Sequence, residues 1–134
     1  MTTSSKLKSN KKLTERAYLV GISSLSKNDY INEQLLLNEL KELVESAGAK
    51  VVGQTIQKRK NPHPATYIGA GKLIEIINLI NELEINLLVV NGGLSGTQQM
   101  VIEGQTGIKV LDRNAVILDV FATRAKSREA LLQV

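Results

Sequence analysis

The chain has 134 residues, enough for one compact domain, and its 43% hydrophobic and 22% charged residues make a globular composition rather than a disordered one. It has no cysteine and a single histidine, His63, which excludes a disulfide framework, a thiolate zinc site and a cysteine nucleophile. The net charge of +4 is all tail: Lys6, Lys8, Lys11 and Lys12 precede residue 13, and the remaining basic and acidic residues cancel. No apolar run approaches the roughly 18 residues of a membrane span, and the early lysines have no apolar stretch behind them as a secretory signal would, so a soluble cytoplasmic protein is expected. Only Tyr18, Tyr30, Tyr67 and Phe121 are aromatic. The core must therefore be aliphatic, and few rings remain for stacking single-stranded nucleic acid.

In chain order, residues 1–14 read as a mobile basic tail. Residues 18–22 (YLVGI) form a first strand, followed by a polar loop over 23–29. Leu36, Leu40, Leu43, Val44 and Ala47 make one stripe of a helix, with Gly48 placed for a left-handed end. Residues 50–56 give a second strand, and Lys58, Arg59 and Lys60 open a basic loop closed by Pro62 and Pro64. After a short extended piece over 66–69, a helix starts near Lys72, with Leu73, Ile76, Ile77, Ile80 and Leu83 on one face. The run 87–90 (LLVV) lacks polar alternation, which suits a parallel strand covered on both sides.

Ser95 and Gln98 have capping-box spacing, so a third helix starts there and ends near Gly107. Residues 109–111 make a fourth strand. Asp112 caps a last helix with Val116, Ile117, Val120 and Phe121 as its apolar stripe. Alternating strands and helices predict an α/β fold: a single three-layer domain over 15–124, with a roughly four-stranded, mainly parallel sheet and helices on both faces. Residues 125–134 read as the start of a helix that stops without a terminator, as if cut inside an element. The loops beyond the carboxyl ends of the strands are where such folds work.

No catalytic constellation can be assigned: Asp119 and Glu103 are isolated, and His63 reads as a surface loop residue. Residues 69–72 (GAGK) fail the phosphate-loop pattern, which needs Gly at 66 and Ser or Thr at 73, and fail GxGxxG because 74 is Ile. They leave a glycine pair opening a helix with Lys72 in its first turn, a structural turn or an anion site. Residues 92–97 (GGLSGT) stand where a ligand loop belongs, yet have no lysine or acidic metal ligand. Two basic groups, Lys58–Lys60 and Arg124, Lys126 and Arg128, on an otherwise neutral domain fit a nucleic-acid backbone better than a small acid.

Several stretches together carry a resemblance: 45–53 (ESAGAKVVG), 62–72 (PHPATYIGAGK), 94–99 (LSGTQQ), 110–122 (VLDRNAVILDVFA) and 128–134 (REALLQV). Over residues 16–134 the chain resembles the N-terminal domain of the HflX family of ribosome-associated GTPases. The resemblance implies an α/β domain that contacts the ribosomal RNA of the large ribosomal subunit. It also implies that the helical hairpin and the GTPase domain, with its GTP and Mg²⁺ sites, lie beyond Val134. The expectation is a ribosome-binding module that does not hydrolyse GTP and holds no cofactor or metal of its own. The family usually reads DELSPTQ where residues 92–98 read GGLSGTQ, so this loop is expected to be less charged and more flexible.

The residues expected to contact phosphate are Lys58, Arg59, Lys60, Lys72, Arg113, Arg124, Lys126 and Arg128, with Arg113 equally suited to pairing with Asp112 or Asp119. Gly69, Gly71 and Gly96 are expected to be set by backbone geometry. The alternative is a domain binding a nucleotide or another anionic small molecule through residues 69–72 and 92–97. A third expectation is a homodimer through Leu131, Leu132 and Val134 on the last helix.

Overall fold

A computed structural model describes residues 14–132, with side chains up to Ala122. The tail lysines, Arg124, Lys126 and Arg128 as phosphate contacts, and Leu131, Leu132 and Val134 as a dimer face all lie outside the residues or side chains described. The elements are β1 (Arg16–Ser23), α1 (Lys27–Ser46), β2 (Lys50–Lys58), α2 (Ala70–Leu83), β3 (Leu87–Val90), α3 (Gly96–Thr106), β4 (Lys109–Asp112) and α4 (Arg113–Leu132). The four strands form one sheet in the order β2-β1-β3-β4, every pairing parallel. This is the expected α/β architecture.

The sheet separates two cores, as the period-2 alternation of its strands requires. Tyr18, Val20, Leu88, Val90 and Val110 face Leu73 and Ile76 of α2 and Ile102 of α3. Ala17, Leu19, Leu87 and Val89 face Leu37, Leu40 and Val44 of α1 and Val116 of α4. All four residues of β3 are buried, because it lies between β1 and β4 with helices on both sides.

The helix ends follow local chemistry. Ser26 caps α1 by accepting from the Asp29 N–H at 3.4 Å, so the helix starts inside the stretch that reads as a polar loop. Gly48, at φ 104°, ends it in the left-handed conformation, and Ala49 N–H returns to Val44 C=O at 3.3 Å. The Ser95–Gln98 capping box closes in both directions at 3.0 Å. Asp112 Oδ1 accepts from Ala115 N–H at 2.9 Å and starts α4.

Two differences concern α4. Val116 and Val120 are buried as expected, but Phe121 is 60% exposed, as is its neighbour Leu118 at 69%. Val116 and Val120, one turn apart, share the inward face, whereas Leu118 and Phe121 lie round the helix from it. The helix backbone also runs without interruption through residues 124 and 125, where the sequence reading divides domain from helix. Among the described residues no helix is long and apolar enough to cross a membrane.

Candidate functional site

The strand order places a topological switch point between β1 and β3: the chain leaves β1 towards β2 and leaves β3 towards β4. Parallel α/β domains commonly bind ligands in the crevice that opens there. In this domain its own side chains fill it. Asn91, buried at the end of β3, donates from Nδ2 to Glu33 Oε2 of α1 at 2.8 Å. Arg113 donates from Nη1 to Asn91 Oδ1 at 2.8 Å and to the Leu36 carbonyl at 3.3 Å, and its Nη2 pairs with Glu39. The Arg113 side chain is only 19% exposed. Its guanidinium is thus engaged inside the domain, through α1 rather than Asp112, whose carboxylate caps α4 and accepts from Leu94 N–H at 3.0 Å.

Tyr67 closes the crevice from the other face. It is buried and sits at φ 66°, a conformation unusual for a tyrosine. A reciprocal pair of backbone hydrogen bonds with His63, each 2.9 Å, holds it there. His63 is itself a structural pin rather than a free surface residue: Nδ1 accepts from Ala65 N–H at 3.0 Å and from Thr66 N–H at 3.3 Å, and Gln98 Nε2 donates to its carbonyl at 2.9 Å. The extended piece over 66–69 is therefore a pinned turn. A Cβ on Gly92 would land on the Tyr67 hydroxyl, so glycine is needed where strand β3 opens into its loop. Gly92→Ala is expected to cost about 1–3 kcal/mol of stability by overpacking, read by denaturant unfolding; an unchanged midpoint would contradict this contact.

Burial, and secondarily the Glu33 carboxylate, push the Tyr67 hydroxyl from 10.0 up to about 12, with the Gly92 backbone partly offsetting them. The folded state holds this proton more tightly than the unfolded chain. Its contribution is therefore complete below pH 10 and lost as pH rises from 10 to about 12. The loss should be about 2–3 kcal/mol. Denaturation across that window should show a steeper decline for the native chain than for Tyr67→Phe; parallel curves would refute it. The comparison is needed because burial also raises Tyr18.

The loops proposed for anions differ in availability. At the start of α3, the Leu94, Ser95 and Gln98 amides are satisfied by Asp112, Gln98 and Ser95. At the start of α2, Gly69 N–H donates to Gln57 Oε1 at 2.8 Å, and Lys72 pairs with Glu75 at 3.5 Å. A Cβ on Gly69 would lie 2.9 Å from Arg59 Nη1, the far end of a flexible side chain that can move aside. Neither Gly71 nor Gly96 has positive φ, and a Cβ on either would meet open space.

The basic loop is the exposed feature of this edge. β1 and β2 pair with Ser23 opposite Lys58, so the chain leaving β2 lies beside the β1–α1 connection. Lys58 is the last residue of β2 rather than a loop residue. Lys58 and Lys60 are exposed and Arg59 half-buried, its Nε donating to the Asn61 carbonyl at 3.0 Å. Lys58 Nζ lies 5.3 Å from the Tyr30 ring centroid. Among the described residues none of the three cations forms an ion pair, whereas Lys72, Lys109 and Arg113 do. Sequence reasoning missed Leu25 and Tyr30 as neighbours of this loop; the signal that finds them is the β1–β2 pairing.

Fold and site together define a parallel three-layer α/β domain with a filled switch point and a cationic carboxyl edge. The profile of the GTP-binding GTPase N-terminal family matches residues 34–122, and the chain belongs to that family. It is 45% identical over 120 residues to the GTPase HflX of Caldanaerobacter subterraneus, covering 90% of this chain and 27% of the relative. It is 44% identical over 124 residues to the GTPase HflX of Lacrimispora saccharolytica, covering 92% and 29%. Among solved structures, the SsGBP–GDP complex matches with a TM-score of 0.60 and 31% identity, over 90% of this chain and 32% of that one. The chain thus spans between a quarter and a third of the length of these relatives and corresponds to the N-terminal domain of HflX-type GTPases.

Proposed function

We propose that this domain is the ribosome-binding module of an HflX-type GTPase, docking on large-subunit rRNA and hydrolysing no GTP itself. The observation that carries the reading is the cluster Lys58, Arg59 and Lys60, without acidic partners among the described residues, on the carboxyl edge of a family-matched domain. Cations left unpaired on a folded edge are available to neutralise phosphates, the main source of affinity for nucleic acid. Of the other sequence candidates, Lys72 is partly neutralised by Glu75 and Arg113 is held internally, so the proposed footprint centres on residues 58–60. The reading that this domain turns over no GTP is supported by its crevice, which Glu33, Asn91 and Arg113 occupy.

The purified chain should pellet with large ribosomal subunits at low salt and release no phosphate from GTP above buffer, with or without them. GTP turnover that scales with the chain's concentration would overturn the second half. Failure to pellet at any salt would overturn the first.

A further inference from the structure

A groove lies between the β1–α1 connection and the end of β2, lined by Ser24, Leu25, Lys58, Arg59 and Lys60. Three of these five residues are cations, yet the wall is mostly hydrocarbon, because long charged side chains lay their stems along a surface and keep their heads in water. Leu25 stands 83% exposed on its rim, a leucine with no packing reason to be there. No acidic residue lines the groove; the nearby Asp29 hydrogen-bonds Ser24 Oγ. Arg59 is held by its bond to the Asn61 carbonyl, and Lys58 by the Tyr30 ring.

We infer that this groove takes one unpaired RNA nucleotide, its base against Leu25 and Arg59 and its flanking phosphates on Lys58 and Lys60. The inference rests on the ribosome-binding reading and adds what part of an RNA the edge prefers. A fully paired duplex keeps its bases stacked inside and would leave Leu25 in water. An acidic peptide would satisfy the charges but brings no planar face for the hydrocarbon wall. Unstacked bases, in contrast, stack on guanidinium planes such as that of Arg59, and covering Leu25 with a base removes its apolar surface from water. The occupant is a single nucleotide rather than a strand, since Tyr18 and Tyr67 are buried, Phe121 lies on α4, and the half-buried Tyr30 ring beside the groove is already engaged by Lys58.

The test is fluorescence anisotropy with two RNAs of matched phosphate number, a blunt duplex and a duplex with one bulged nucleotide. The chain should bind the bulged RNA about tenfold more tightly. Leu25→Ser, an exposed change that spares the fold, should bring it to the level of the paired duplex without altering the salt dependence. Equal affinity for the two RNAs, a preference that survives Leu25→Ser, or equal competition by polyglutamate would each overturn the inference. Large subunits that pellet with the chain while the two RNAs are not distinguished refute this inference alone. A bulge preference lost on Leu25→Ser, without any binding to subunits, upholds it and refutes the ribosome reading.

Discussion

Reversing Lys58, Arg59 and Lys60 to glutamate together is expected to lower affinity for large ribosomal subunits on the order of 100-fold at low salt, and to flatten the salt dependence by about two to three phosphate equivalents. The direction follows from counterion release: each cation on a phosphate displaces a bound counterion, so its loss removes both affinity and salt sensitivity. The fold should survive, because none of the three forms an ion pair among the described residues; what is lost is the exposed Arg59–Asn61 hydrogen bond and the Lys58–Tyr30 contact, the latter worth about 0.5–1 kcal/mol at an exposed site. Pelleting at several salt concentrations, with a thermal melt as control, reads both. A triple variant that binds with native affinity and salt slope would remove residues 58–60 from the footprint.

Arg113→Ala is expected to do the opposite: destabilise the domain by about 3 kcal/mol while leaving subunit binding per folded molecule unchanged. The guanidinium joins the end of β3, through Asn91, to α1, through the Leu36 carbonyl and Glu39. Its removal leaves the buried Asn91 Oδ1 without its donor and Glu39 without its cation. Urea unfolding measures the first effect, and pelleting under conditions where the variant is folded measures the second. Normal stability with weakened binding would return Arg113 to the RNA-contacting set.

The contrast between these residues shows where sequence reading reaches and where it stops. The all-apolar run 87–90, the Ser95–Gln98 box, Asp112 as a cap and the glycines at 48 and 107 are local signals, and each produces the element it announces. Alternation of strands and helices yields the layered parallel architecture because few other arrangements bury such segments. Sheet order is not local. Until β1 is known to pair with β2, nothing places Leu25 beside Lys58 or identifies a switch point for Glu33 and Asn91 to fill. Arg113 and Lys58 look alike in sequence; what separates them is that α1 meets Arg113 with the Leu36 carbonyl and the Glu39 carboxylate, but meets Lys58 only with the Tyr30 ring. Tyr67 is invisible for a similar reason: its left-handed backbone is imposed by His63 and Gly92, not by its own preference. The first turn of α1 hides in a polar stretch because capping residues and loop residues have the same composition.

The most direct measurement is co-sedimentation of the native chain with isolated large ribosomal subunits across a salt series. The expected result is saturable binding at low salt whose affinity falls linearly on a logarithmic salt axis, with a slope of about two to three set by the cations of residues 58–60. Absence of binding at the lowest salt, or binding indifferent to salt, would contradict a phosphate-directed footprint on this edge.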